Sequence, residues 1–286
     1  MISGIINILK PAGITSNAVL TEVKKKLHPK KIGHLGTLDP SGVGVLPVCI
    51  NKATKLFDYY LKKDKVYRAI FVFGKETDTL DSDGKITSEQ KNLDISFEEI
   101  NSVLYKFIGK INQIPPKYSA KNLGGKKAYE LARRGIEFNL KPKEVEIYDI
   151  KLIQKLEKNT YLFQIYCSSG TYIRSLARDI AKELNTVAYM GAIIRTKSGN
   201  FSIENSIKID DITEENIICL ENILKDWKNI FVNDEFYDKI INGNTIKIKY
   251  VDTQDVVVYC KNKLIGIADI LNGILKIKTS LWEKND

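Results

Sequence analysis

The chain has 286 residues, 43% hydrophobic and 28% charged, with 44 Lys and Arg against 35 Asp and Glu and a formal net charge of +9. That length and apolar content support one large core, or a main domain with a small second one, and exclude disorder over most of the chain. No run of eighteen apolar residues is present to cross a membrane as a helix, the four cysteines form no C-x-x-C pair or disulfide framework, and two histidines are too few for a multi-histidine metal site.

In chain order, residues 3 to 9 read as a short strand. Its apolar stretch is too short for a signal peptide and lacks a small-residue cleavage site, so a cytoplasmic protein is expected. Ser16 then reads as the N-cap of a helix with Val19, Leu20, Val23 and Leu27 at helical spacing. A glycine-rich loop follows, "GHLGTLDPSGVGVLPV" from Gly33 to Val48. "KVYRAIFVFG" is a strand with Tyr67, Ala69, Phe71 and Phe73 on one face, and "TDTLDSDGK" is turn chemistry. Ser96 and Glu99 form a capping box at the head of a helix that stops at Gly109. Strands are expected at 143–153 and 160–168. A helix follows in "TYIRSLARDIAKELN" with Thr171 as its cap, and then a strand in "AIIRTKSGNF". Beyond about residue 225 the texture changes to short strands at 245–250, 255–260, 263–270 and 273–279, separated by turn signals. These suggest a separate small barrel or sandwich joined through "ENILKDWKN". The expected domains are therefore 1–225 and 226–286.

The positive charge is clustered. "KKKLHPKK" holds five lysines just ahead of the Gly33–Val48 loop, and residues 117–135 hold four lysines and two arginines interleaved with Tyr118 and Tyr129. Either cluster alone could be a solvated face. The pair, flanking polar glycine-rich loops, points to phosphate contact and a nucleic-acid partner.

Asp39 is the residue that loop surrounds. An Asp before Pro ordinarily stabilises a turn, but glycines at 33, 36, 42 and 44 exceed what one turn needs, and apolar residues anchor the loop at once. His34 reads either as a ligand contact or as a satisfied loop histidine. Tyr67 reads as a core aromatic or as a residue at a pocket mouth. Arg174 is anomalous: a cation in the first turn opposes the helix dipole, Arg178 repels it at i+4, and no acid stands at i+3 or i+4. A carboxylate or phosphate from outside the helix would account for it. Neither a phosphate-binding P-loop nor a dinucleotide-binding fingerprint is present. The residues thus suggest chemistry by carboxylate, tyrosine and arginine on a nucleic acid, without metal or cofactor.

Together these stretches resemble the tRNA pseudouridine-55 synthases. "GHLGTLDPSGVGVLPV" is similar to that family's signature loop, "NILKPAGITSN" to its first motif, "KVYRAIFVFGKETDTLDSDG" to its Y-x-A strand and following loop, "CSSGTYIRSLARDIAKEL" to its G-T-Y-I-R helix, and "IIRTKSGNF" to its R-T-x-S-G strand. The matches run in order from residue 4 to about 202. The pair Ser41-Gly42 departs from the family, where many members carry a bulkier residue followed by Ala. The resemblance implies an α+β, mixed-sheet catalytic domain followed by a small all-β PUA-like RNA-binding module. It implies isomerisation of uridine in the T loop of tRNA to pseudouridine after base flipping, with no cofactor, no metal and no obligate protein partner. Asp39 falls on the nucleophile and Tyr67 on the tyrosine that stacks on the target base, a candidate to move the C5 proton. Arg174 falls on the arginine paired with the nucleophile, His34 on the histidine that fills the space left by the flipped base, and Tyr172 on a neighbouring tyrosine. Ile193 falls on an aliphatic pocket position, with Ile194 as the alternative register. Lys10 falls on the first motif's lysine, grouped with the substrate-binding set though taken as structural. Another uridine specificity, or a tRNA-folding chaperone, remains the competing reading.

Overall fold

The computed structural model describes residues 2–61, 63–119 and 121–282. The elements that build the site are strands β1 (Gly4–Lys10), β2 (Ile32–His34), β3 (Val43–Ile50), β4 (Lys65–Phe73), β5 (Gly109–Gln113), β6 (Lys143–Glu157), β7 (Thr160–Cys167), β8 (Ala188–Ser198) and β9 (Ile218–Cys219). Among them run helices α1 (Ser16–Leu27), α2 (Phe97–Leu104), α3 (Ile173–Glu183) and α4 (Leu220–Leu224). The main sheet has the order β9-β1-β3-β8-β4-β7-β6-β5, with β2 added beside β3. Every pairing along it is antiparallel except β3 with β8, which run parallel over two residue pairs, Ile194 opposite Val43 and Arg195 opposite Gly44. Two antiparallel half-sheets therefore meet at one short parallel seam. Gly44 is required there: its φ is +115°, and a Cβ would fall 2.2 Å from the Arg195 carbonyl oxygen.

The alternation of β4 decides which face is core. Tyr67, Ala69, Phe71 and Phe73 are buried against Ile173, Leu176 and Ile180 of α3 and Ile100 of α2, and this cluster also contains Leu38, Met190 and Ile193. The walls of the later site are thus the upper edge of a packed core. On the other half-sheet, Val19 and Val23 of α1 pack on Ile6, Ile8, Leu46 and Val48. The capping box at α2 forms as the sequence indicates, Ser96 and Glu99 each bonding the other's backbone N–H.

Two caps differ from the sequence reading. Thr15, not Ser16, caps α1, its Oγ1 accepting from the Ala18 N–H at 3.0 Å. Ser16 instead reaches across to the glycine-rich loop. At α3 the cap position is Tyr172, and the Thr171 hydroxyl donates to the Ser168 carbonyl. The buried Gln113 side chain replaces a hydroxyl cap, accepting from the Tyr172 N–H at 2.8 Å and donating to its carbonyl at 3.0 Å.

The C-terminal strands β10 (Asn229–Phe231), β11 (Ile246–Lys247), β12 (Thr253–Cys260), β13 (Lys263–Leu271) and β14 (Ile274–Ser280) form a five-stranded sheet in the order β10-β12-β13-β14-β11. The segment read as a linker is not exposed chain. Ile223 and Leu224 of α4 are buried in a cluster that also holds Leu56, Tyr60 and Val45 from the first part and Val257, Leu264, Ile267 and Leu281 from the second. The Tyr60 hydroxyl donates to the Ile223 carbonyl at 2.8 Å, and its ring stacks on Trp227 at 6.4 Å. A chain ending at residue 225 would strip one side of this cluster and leave its apolar residues in water. That truncation is expected to aggregate or to melt well below the full chain in thermal unfolding. A truncated chain with an unchanged melting temperature would show that the two parts are independent.

Candidate active site

The glycine-rich loop crosses the seam and buries much of its own backbone, so its carbonyls need partners. They find them on three side chains. Lys10, fully buried, donates from Nζ to the carbonyls of Pro11 (2.8 Å), Pro40 (3.1 Å) and Gly42 (2.6 Å). Ser16 Oγ both donates to the Leu38 carbonyl and accepts from the Leu38 N–H, each at 2.9 Å. Arg195, 1% exposed, donates from Nε to Val45 (2.7 Å) and from its terminal nitrogens to Gly36 (3.0 Å) and Thr37 (3.3 Å). The Asp39 carbonyl accepts from the Gly42 N–H at 3.0 Å, closing the turn at its tip. Lys10 therefore acts on the loop and not on a ligand: all three ammonium protons are used and none of its surface is open. Its grouping with substrate-binding residues is corrected by that geometry. Burial lowers its pKa to about 8, against the pull of Asp39.

The loop presents Asp39 to Arg174. Arg174 Nε lies 3.0 Å from Asp39 Oδ2 and a terminal nitrogen lies 3.1 Å from Oδ1, a two-point fork. The other terminal nitrogen donates to Asp81 Oδ2 at 3.0 Å and to the Thr79 carbonyl at 3.1 Å, and the Tyr118 carbonyl accepts at 3.0 Å. Both terminal nitrogens thus use both of their N–H donors, and Nε stands in ion-pair contact with Asp39 Oδ2. Two carboxylates thus offset the unfavourable place of a cation in the first turn of α3. Arg178, its neighbour at i+4, is turned away to Asp179 and to the Ile114 carbonyl.

Asp81 was not singled out by the sequence reading. It sits in the "TDTLDSDG" turn with its side chain 7% exposed, held by the Thr79 hydroxyl and the Asp83 N–H. Leu80 adopts a left-handed φ of +61° and its carbonyl accepts from the Met190 N–H, which pins the turn to β8. Three acids in a short turn read as solvated loop residues, and only the spare acceptor demand of Arg174 could have pointed to one of them.

Asp39, Tyr67, Tyr172, Arg174 and Ile193 line one cleft of about 640 Å³, with Arg195 and Lys65 also in its wall. Ile193 is 8% exposed and lines the cleft, whereas Ile194 is 39% exposed on the opposite face of β8. A Cβ on Gly42 would meet the Ile193 side chain at 3.3 Å and the Asp39 carbonyl at 3.2 Å, so the Ser41-Gly42 departure relaxes a tight contact. His34 is on β2, outside the lining of this cleft, with Nδ1 buried and unpartnered; burial, then the charge of Arg195, lowers its pKa. Burial also pushes the Asp39 carboxyl above the usual range; Arg174 pulls it back, while Asp81 and Asp83 push it further up. Tyr67, deeply buried, is pushed up to about 12 by the same loss of water. Groups of three or more His, Cys, Asp or Glu in metal-binding arrangement are absent among the described residues.

Comparison with known proteins decides the family. Residues 24–173 match the model of the TruB family pseudouridylate synthase N-terminal domain. The chain is 39% identical over 299 residues to tRNA pseudouridine synthase B of Alkaliphilus oremlandii, covering 99% of both chains. The chain belongs to the TruB family. A second relative, tRNA pseudouridine synthase B of Clostridium tetani, is 41% identical over 274 residues, covering 93% of this chain and 94% of the relative. Among solved structures, the fold resembles a chain of a Cbf5-Nop10-Gar1 complex with a TM-score of 0.72 at 24% identity, covering 98% of this chain and 85% of that one. A chain of an H/ACA RNP bound to a substrate RNA containing 2'-deoxyuridine gives 0.71 at 23%. The likeness in fold runs through the C-terminal sheet, which takes the place of the PUA-like module of this TruB-type chain.

Removing one partner from a buried ion pair leaves the other uncompensated, at about 3 kcal/mol or more. Asp81→Ala is therefore expected to destabilise the protein on that scale in urea unfolding and to lower turnover sharply. Wild-type stability and rate in Asp81→Ala would show that Arg174 is held without Asp81.

Proposed function

We propose that this TruB-family enzyme isomerises uridine 55 in the T loop of tRNA to pseudouridine, in the cytoplasm and without a guide RNA or a protein partner. The observation that carries the reading is the Asp39 carboxylate, met at two points by the buried Arg174 at the wall of a cleft beside the buried Tyr67. A generic RNA-binding surface has no use for a carboxylate there, because it repels phosphate.

The reaction breaks the N1 glycosidic bond, turns the uracil and joins C5 to the same ribose carbon. A folded loop hides that bond, so the nucleotide must flip out into the cleft. Asp39 is the nucleophile, and a covalent intermediate divides one difficult step into two. Arg174 orients both carboxylate oxygens and favours their ionised state. Tyr67 offers a flat ring for the uracil, with Ile193 and Tyr172 as further walls. We assign His34, outside the cleft lining, to filling the space left in the RNA by the flipped base. The lysines at 24–31 and 117–127 hold phosphates, and the C-terminal sheet adds RNA contacts beyond the T loop.

The test is to incubate purified protein with tRNA and with an isolated T stem-loop and to map pseudouridine by carbodiimide modification and primer extension. Product at position 55 in both RNAs is expected, and Asp39→Asn is expected to form none while binding tRNA nearly as well. Pseudouridine at another position would establish a different specificity. Product formation by Asp39→Asn at the normal rate would remove Asp39 from the chemistry.

A further inference from the structure

Arg195 is the second buried guanidinium of the cleft, and the mechanism above does not use it. It donates to three backbone carbonyls, where Arg174 meets two carboxylates. Burying a cation without a carboxylate is costly, and backbone dipoles offset only part of it. Arg195 lies directly opposite Tyr67 in the β8–β4 pairing, and both residues line the cleft.

A guanidinium has donors and no acceptor. In any hydrogen bond between these two groups the phenolic oxygen must accept, so its own proton is aimed elsewhere. Tyr67 lines the cleft. The groups facing it are Arg195 from β8, Cys167 from β7 and Asp39 from the loop. Burial holds the Cys167 thiol up at about 12, so it is uncharged near neutrality, and Tyr67, also near 12, keeps its proton.

The chemistry needs a donor there. If Asp39 attacks C1′, an O–C1′ bond forms, the C1′–N1 bond breaks, and its electron pair stays on the uracil as an anion spread over N1, O2 and O4. If Asp39 attacks C6, an O–C6 bond forms and the C5–C6 π pair moves toward O4 as an enolate. By either route the charge of Asp39 ends on the uracil, and no proton has yet moved.

We propose that Arg195 is a positioning residue that holds the Tyr67 hydroxyl as a hydrogen-bond donor to the negative charge developing on the uracil. This rests on the pseudouridine-forming reading above. Tyr67 is then a donor in the resting enzyme and not a ready base, and Arg195 links it to the same loop that carries Asp39.

Two measurements on the full chain test this. In the first, 3,5-difluorotyrosine at position 67 is titrated by ¹⁹F NMR with Arg195 intact and in Arg195→Met, with no RNA present. The charge of Arg195 favours the phenolate, so its loss is expected to move the midpoint to higher pH; an unmoved midpoint would overturn the contact. In the second, single-turnover rates are compared for Tyr67→Phe, Arg195→Met, Arg195→Lys and the double variant Tyr67→Phe/Arg195→Met. Each single variant is expected to lose about 100-fold, the scale of one lost preorganised donor, with tRNA affinity nearly unchanged. The double variant is expected to lose clearly less than the product of the two single losses. Arg195→Lys keeps the charge and guards against misfolding of the Met variant, but an ammonium cannot reproduce the planar fork. Fully multiplying losses, or a normal rate in Arg195→Lys, would overturn the proposal. An active wild type with uncoupled residues removes only this inference, whereas a wild type that makes no pseudouridine removes the function reading itself.

Discussion

The site depends on one guanidinium. Arg174 ties together the loop that carries Asp39, the turn that carries Asp81 and Thr79, the segment at Tyr118 and the first turn of α3. These pieces are far apart in sequence; the loop and the turn both abut β8, at Ile194 and at Met190, but the spacing of the Asp39 and Asp81 side chains has still to be fixed between them. A planar group with five fixed donors sets it, because each acceptor has one direction from which it can be met. The arrangement also explains an acid turn so close to the Asp39 carboxylate. Asp81 repels Asp39 across the cation, but without it one terminal nitrogen of Arg174 would face only a single carbonyl.

A second constraint operates below the first. The two half-sheets meet over only two residue pairs, and the loop lies across that seam. Loop backbone over a buried junction has no water to satisfy it, so Lys10, Ser16 and Arg195 supply the missing donors. Two of these three are cations with almost no exposure. Their charge also reaches the cleft wall: Arg195 adds to the burial that brings Lys65 to about 8. The positive potential that receives an RNA thus comes partly from groups whose first task is to hold a loop.

Much of this was legible in the sequence, for identifiable reasons. Asp39 stood out because more glycines surround it than a turn requires. Arg174 stood out because local helix energetics disfavour it, and a residue that its own element does not explain points to a partner elsewhere. The capping box at Ser96 is a short-range interaction and was readable outright. What could not be read depends on tertiary contacts. Arg195 carries no signal of its burial until its carbonyl partners are in place, and only the carbonyls around Lys10 show what that structural lysine holds. Parity along β8 puts Arg195 on the inward face with Ile193, but only if the register is known, and the choice between Ile193 and Ile194 hung on that same register. Thr15 and Ser16 are both good caps, and the loop's demand for a donor at Leu38 separates them. The segment after residue 220 reads as a polar linker because its apolar residues are few, yet Ile223, Leu224 and Trp227 join a core assembled from both ends of the chain.

The most direct measurement is the ionisation of Asp39 itself, followed by ¹³C NMR of its side-chain carboxyl in the free protein and in Arg174→Gln. Burial and the neighbouring acids raise its pKa above that of an ordinary aspartate, and the guanidinium opposes them. Loss of the guanidinium is therefore expected to move the midpoint to still higher pH, so that less of the carboxylate is available near neutrality. An unchanged midpoint in Arg174→Gln would contradict the claim that Arg174 is what keeps this carboxylate charged and in place.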